Sequence, residues 1–254
     1  MMSLSPELSL LEARNNYNGS AVYFWVNSSN NTVTVEKYGI VSNLSMTIGG
    51  YTAGYPVNPN RNTLNILSGG KIYGGGYNVN YIGQVAAALG NVGLVSGADS
   101  LWDLGGQALY MIGLSNTLTI ADSAVVTNVT ALGVANTAGS FNSVTITNGG
   151  KLYTTGASTL ASVAGEVSNT VLITGNASVW DVGNGLLTIG LATTTSNMLT
   201  IDQGGTLDNI GTLTVNTNNA LLLYGGTLGA GTATVNRGQA FLVGDGTQPA
   251  TLKS

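Results

Sequence analysis

The chain has 254 residues, 43% hydrophobic and only 7% charged, with 37 glycines, no cysteine, no histidine and a net charge of −4. That balance argues against disorder and excludes disulfides, thiolate or imidazole metal sites, and catalysis through a cysteine or histidine. It also argues against nucleic acid and membrane as partners: the seven cations (Arg14, Lys37, Arg61, Lys71, Lys151, Arg237 and Lys253) form no basic stripe, and no run of about 18 apolar residues is present.

The start, Met1 to Glu7, has neither the basic region nor the apolar core of a signal peptide. Residues 7–14 are expected to form a short helix. Residues 1–60, which include Phe24 and Trp25, are expected to form an N-terminal cap and a first coil. Residues 61–254 read as repeats, and the strand-like phrase from Pro249 to Ser254 reads as part of a longer protein.

The repeat is marked by asparagine. The phrase Asn, small or apolar, apolar, any, apolar begins at Asn31, Asn62, Asn91, Asn116, Asn142, Asn169, Asn197 and Asn219, with gaps of 31, 29, 25, 26, 27, 28 and 22. A period in this range marks a solenoid, a propeller or an array. Each period carries three short strand-like pieces. In the coil from Asn142 they are Ser143–Thr147, Lys151–Thr154 and residues 160–164. Gly-Gly pairs follow the first piece at Gly69-Gly70, Gly149-Gly150, Gly204-Gly205 and Gly225-Gly226, where positive φ turns a corner. Three strands and three corners per coil predict an all-β chain, a right-handed parallel β-helix (pectin-lyase-like solenoid) of about eight coils of roughly 27 residues.

Strand alternation then assigns faces. Two and four residues after the Asn stand Val33/Val35, Leu64/Ile66, Gly93/Val95, Leu118/Ile120, Val144/Ile146, Val171/Ile173, Leu199/Ile201 and Leu221/Leu223. Only Gly93 departs from apolar, so these are expected to be inward columns. The asparagines share that parity and should point inward at a corner, where a ladder of amides would satisfy them. A longer repeat of three coils lies on top: Gly69-Gly70-Lys71-Ile72-Tyr73 matches Gly149-Gly150-Lys151-Leu152-Tyr153, and Ser100-Leu101-Trp102-Asp103 matches Ser178-Val179-Trp180-Asp181.

The phrases Asn-x-Leu-Thr-Ile-x-x-Gly-Gly, Gly-x-x-Ser-Val-Trp-Asp and Gly-Thr-Leu-Thr-Val, spread over residues 60–250, resemble repeats of bacterial autotransporter passengers and related large surface β-helix adhesins. The resemblance implies export, surface display, and adhesion or self-association. Open solenoid ends favour end-to-end homo-oligomers, with side-by-side packing as the other arrangement.

The best candidate site is a column on the second strand. Ten residues after the Asn stand Ile72, Leu101, Val126, Leu152, Val179 and Leu207, all apolar and expected inward. Position eleven is then expected outward: Tyr73, Trp102, Thr127, Tyr153, Trp180 and Asp208. An exposed aromatic line flanked by lysines suits stacking on sugar rings. The expected ligand-binding residues are Tyr73, Trp102, Tyr153, Trp180, Lys71 and Lys151. The structural alternatives are a covering loop or ring stacking that only stabilises the sheet.

Carboxylates are the only route to catalysis: Asp99, Asp103, Asp122, Asp181, Asp202 and Asp208. Glycosidases need two carboxyls roughly 5–9.5 Å apart. Asp103 and Asp181 lie three coils apart, about 14 Å at 4.7–4.9 Å per strand. Asp181 and Asp208, at offsets 12 and 11, are expected on opposite faces. The expectation is therefore no enzyme. The alternative is a polysaccharide-acting β-helix enzyme or a phage tailspike segment, with Asp181 and Asp208 as its catalytic candidates. No cofactor or metal is expected, because the glycine-rich stretches precede no helix and no calcium-binding nonapeptide occurs. Ice binding is a minor alternative: Thr32/Thr34, Thr117/Thr119 and Thr145/Thr147 face outward, but Asn65, Leu94 and Leu172 break the array. The expected function is that of an extracellular or bacterial cell-surface solenoid, an adhesin or stalk, whose partners are glycans or copies of itself.

Overall fold

The structure, a computed structural model, describes residues 2–4, 11–15, 22–26, 29–37, 39–50, 60–75, 79–191, 193–236, 240–244 and 247–254. Every regular element among them is a β-strand, and no helix among them is long and apolar enough to cross a membrane. The strands wind into a parallel β-helix with three faces. Face one is a 10-stranded sheet. Its strands run parallel from Thr32–Glu36 and Thr63–Leu67 to Ala220–Leu223 and Ala240–Val243. Met2–Leu4 joins its edge antiparallel to Thr32–Glu36.

Faces two and three merge into a 14-stranded sheet. They merge because Leu101–Leu114, Val125–Ser140, Val179–Ile189, Thr206–Val215 and Thr227–Val235 pass through the second corner without ending. The bend appears as a register shift after Asp103 and again after Asp181. The helix expected over residues 7–14 is not formed where it can be seen. Leu11–Asn15 is a strand, antiparallel to Val22–Val26, and residues 7–10 lie outside the described set. Pairing with an apolar β-rich neighbour overrides the helix preference of so short a segment.

The asparagine ladder is continuous. All eight side chains are at most 3% exposed. In each coil the backbone N–H and the Nδ2 of one Asn both donate to the Oδ1 of the Asn in the next coil. Asn116, for example, reaches Asn142 at 2.9 and 3.1 Å, and Asn142 reaches Asn169 at 2.9 and 3.1 Å. The links run unbroken from Asn31 to Asn219. Spare amide hydrogens close the corner itself, as from Asn142 Nδ2 to Gly113 O at 2.9 Å. The residue before each Asn adopts a left-handed conformation, from Asn30 at φ 61° to Asn218 at φ 63°. That kink turns the side chain inward. An unsatisfied buried group would cost about 1–3 kcal/mol, so the paired ladder is what permits a polar core corner at all.

The inward columns are as the alternation predicts. Val33, Val35, Leu64, Ile66, Leu118, Ile120 and their equivalents in later coils are buried in a single apolar core. Gly93 fits because Ile82 of face three fills its place; a Cβ there would come within 2.8 Å of the Ile82 Cδ1. Apolar side chains remain exposed on the last strands: Phe241, Leu242, Val243 and Leu252.

Corner one has two lengths, and this sets the side-chain register of face two. After Leu67, Ala121, Thr147 and Asp202 a tight turn closes with an N–H bond from Gly70, Ala124, Gly150 and Gly205. Its two central residues are left-handed, as Ser68 at φ 51° and Gly69 at φ 83°. After Ser96 and Thr174 the corner contains one more residue. There the bonds run from Ser100 to Gly97 and from Ser178 to Gly175. The inserted residue pushes a serine into the buried place of the second glycine. Ser100 and Ser178 are at most 1% exposed, and their hydroxyls accept the Gly69 and Gly149 N–H at 3.0 Å.

Candidate functional site

That one-residue difference overturns the expected aromatic column. In the observed register Ile72 pairs with Trp102, Trp102 with Val126, Leu152 with Trp180, and Trp180 with Leu207. The indoles therefore stand in the inward column, Trp102 0% and Trp180 2% exposed, and neither can stack on a ligand. Leu101 and Val179, expected inward, take the outward places beside Lys71 and Lys151. The outward line on face two is Tyr73, Asp103, Thr127, Tyr153, Asp181 and Asp208. Counting from the Asn assumed equal corners, and in two coils the corners are unequal.

The same shift corrects the aspartates. Asp181 and Asp208 do not face opposite ways; they are direct partners on neighbouring strands. Tyr73 lies beside Asp103, and Tyr153 beside Asp181. Of the expected ligand residues, Lys71, Tyr73, Lys151 and Tyr153 thus share an accessible face, with Asp103 and Asp181 taking the positions assigned to the tryptophans.

Local structure aims these carboxylates. The second corner begins two residues after each one, at Gly105 with φ 63° and Gly183 with φ 63°. There the glycine N–H folds back onto the aspartate Oδ1, at 2.8 Å in both coils. An asparagine of the following coil adds a second donor. Asn128 Nδ2 lies 2.9 Å from both Asp103 oxygens, and Asn209 Nδ2 lies 3.0 Å from Asp181 Oδ1. Asp208 Oδ1 accepts its neighbour's N–H, from Asn209, at 2.8 Å, and its Oδ2 lies 4.0 Å from Lys253 Nζ. A shallow cavity of about 340 Å³ opens beside Asp208, between Asn184, Asn209, Gly229 and Lys253. Among the described residues no group of three or more acidic side chains approaches closely enough to hold a metal ion.

Elsewhere the carboxylates serve corners. The Ser96 hydroxyl and the Asn148 amide each donate to Asp122 at 2.6 Å and hold its carboxyl below the usual carboxylate range. On face three the pairs Thr212/Thr214 and Thr232/Thr234 stack in register and continue the line of Thr188 and Thr159. Leu186 and Gly133 bound that array. Face three also holds Tyr81 edge-on to Tyr110, ring centres 6.1 Å apart.

One acidic residue escaped the sequence reading. Glu166, three positions before Asn169, is 3% exposed. The same place before Asn91 and Asn197 holds Ala88 and Thr194. An ionisable residue in a column otherwise filled by small ones was the available signal. Burial drives its carboxyl up to about 7, against the pull of the N–H bond from Val163.

Fold and site together define a parallel β-helix solenoid with one mixed polar-aromatic face. No protein-family model, curated protein or solved structure matches the chain.

Proposed function

We propose that this solenoid is a non-catalytic adhesive or structural rod of an exported surface protein. It holds glycans on its second face and associates with further copies of itself. The observation that carries the glycan reading is the recurrence of one patch. Lys71, Tyr73 and Asp103 are repeated as Lys151, Tyr153 and Asp181 in the same register, three coils and about 14 Å away at 4.7–4.9 Å per strand. A tyrosine ring offers an apolar face and a hydroxyl to a sugar. The carboxylate, held in place by a main-chain N–H, accepts sugar hydroxyls, and the lysine donates. Two such patches on one rigid face favour a chain-like ligand that reaches both.

Glycan-array binding of the intact chain tests this. Tyr73→Ala with Tyr153→Ala should abolish the signal that either single change only weakens. Binding that survives the double variant sinks the reading. Self-association is tested by sedimentation over a concentration series, where Phe241→Lys should lower the apparent mass.

A second reading rests on the Asp181–Asp208 pair. Neighbouring strands lie about 4.7–4.9 Å apart, and Asp181 and Asp208 are partners on two of them, which is close to the carboxyl spacing of about 5–5.5 Å used by retaining glycosidases. Against it, the Oδ1 of each is already occupied by corner hydrogen bonds. Release of reducing ends from a polysaccharide, lost in Asp181→Asn, would favour this reading over the first.

A further inference from the structure

Glu166 sits in a turn unlike the rest of the ladder. The strand Ser158–Leu160 ends at Ala161, which is left-handed at φ 64°, and the chain re-enters the ladder at Ser168, left-handed at φ 56°. Between them Val163 is 39% exposed, Ala164 is also exposed, and Gly165 at φ 84° has open space where a Cβ would be. Glu166 is the one charged side chain of this flap, and it is folded beneath it. Its Oε2 accepts the Val163 N–H at 2.9 Å, while its Oε1 is buried with no hydrogen-bond partner.

The main chain of Glu166 ties the flap to the coil above. Its carbonyl accepts the Thr195 N–H at 3.3 Å and the Nδ2 of the ladder residue Asn197 at 3.4 Å. On the side below, the Val167 N–H donates to the Ser140 hydroxyl at 3.1 Å. Along the segments that flank it, no titratable group offsets the carboxylate. The segment below, residues 131–142, and the segment above, residues 190–198, contain no acidic, basic or tyrosine side chain, and neither does the rest of the flap. A charge formed there has no cation and little water to stabilise it.

We propose that Glu166 is a proton-operated latch on the third corner: protonated, it holds the flap down over the core, and ionised, it swings into water and releases the flap. Release frees the Thr195 N–H and one Asn197 amide bond, so the middle of the rod loosens beside the ladder. The equivalent turn at residues 85–88 carries Ala88 and has no such control. The latch fits the folded-state value of about 7 against an ordinary 4.5. Between those limits each pH unit shifts the opening equilibrium by roughly tenfold.

The test is hydrogen exchange of the full chain from pH 4.5 to 8.5, expressed as protection factors for residues 162–168, 193–197 and 84–90. Protection at 162–168 and 193–197 should fall roughly tenfold per pH unit up to about pH 7 and then level off, while 84–90 stays flat. In Glu166→Gln all three should stay flat. If that variant does not fold, Glu166→Thr, which copies the neighbouring coil, should give the same flat profile. Wild-type protection independent of pH, a fall shared equally by 84–90, or a fall that persists in a folded variant overturns the latch.

Discussion

The two three-coil blocks, starting at Asn62 and at Asn142, solve the same packing problem, and two of the buried positions at which they differ concern polar groups. Both carry the lengthened corner, the inward indole and the aspartate held by a glycine N–H. In the second block Trp180 Nε1 donates to the Thr154 hydroxyl at 3.1 Å. In the first block the Nε1 of Trp102 is buried without a partner. The matching residue there is Gly74, and a Cβ on it would run into the Leu104 carbonyl. The other difference is Glu166 in place of Ala88. The asparagine ladder and the corner serines are thus kept in both blocks, while the indole's partner and the residue three places before the ladder Asn have diverged.

The ladder should give the largest effects and the closest equality between blocks. Asn142→Ala leaves the Asn116 main-chain N–H and one hydrogen of its Nδ2 without their shared acceptor, while the main-chain N–H at 142 still reaches Asn169 Oδ1. Two orphaned groups at about 1–3 kcal/mol each predict a loss of about 2–6 kcal/mol, read from the urea midpoint. Asn91→Ala and Asn169→Ala, equivalent rungs, should cost the same; a clear inequality would break the equivalence of the blocks. The indoles come next. Trp102→Ala and Trp180→Ala should each cost about 3–5 kcal/mol. With phenylalanine the blocks should separate. Trp180→Phe removes a hydrogen bond and should cost about 1 kcal/mol more than Trp102→Phe, which removes an unpaired donor.

Between pH 5 and pH 8 the pH dependence is smaller and belongs to the second block. A carboxyl whose folded-state value is raised binds more protons in the folded chain. Its contribution is full below the ordinary 4.5 and is lost as pH rises towards about 7. That interval corresponds to at most about 3 kcal/mol. Stability measured by denaturant at pH 5 and pH 8 should differ accordingly in the wild type and much less in Glu166→Gln. Ala88→Glu should transplant the dependence into the first block. The smallest effect is expected on the surface. Tyr73→Ala and Tyr153→Ala should each change stability by no more than about 0.5 kcal/mol, leaving ligand binding as their only readout.

Much of this molecule was legible in its residues, and the limits of that reading are specific. The asparagine phrase and its alternation determined the solenoid, the inward aliphatic columns and the ladder itself, because a period-two strand and a buried amide leave few alternatives. Duplication of Lys-Ile-Tyr as Lys-Leu-Tyr, and of Trp-Asp, was also visible as sequence. Which side of face two each residue takes was decided only by the folded corners. One residue inserted at Gly97-Ala98-Asp99 and again at Gly175-Asn176-Ala177 reverses the parity of the face-two strand that follows it. That reversal buried Trp102 and Trp180, exposed Asp103 and Asp181, and brought Asp181 beside Asp208. For Glu166 the only mark in the residues was its place in a column of small ones; its burial depends on how the flap folds beneath neighbouring coils. Local alternation is a property of the chain, but the phase between one strand and the next is set by the corner that joins them.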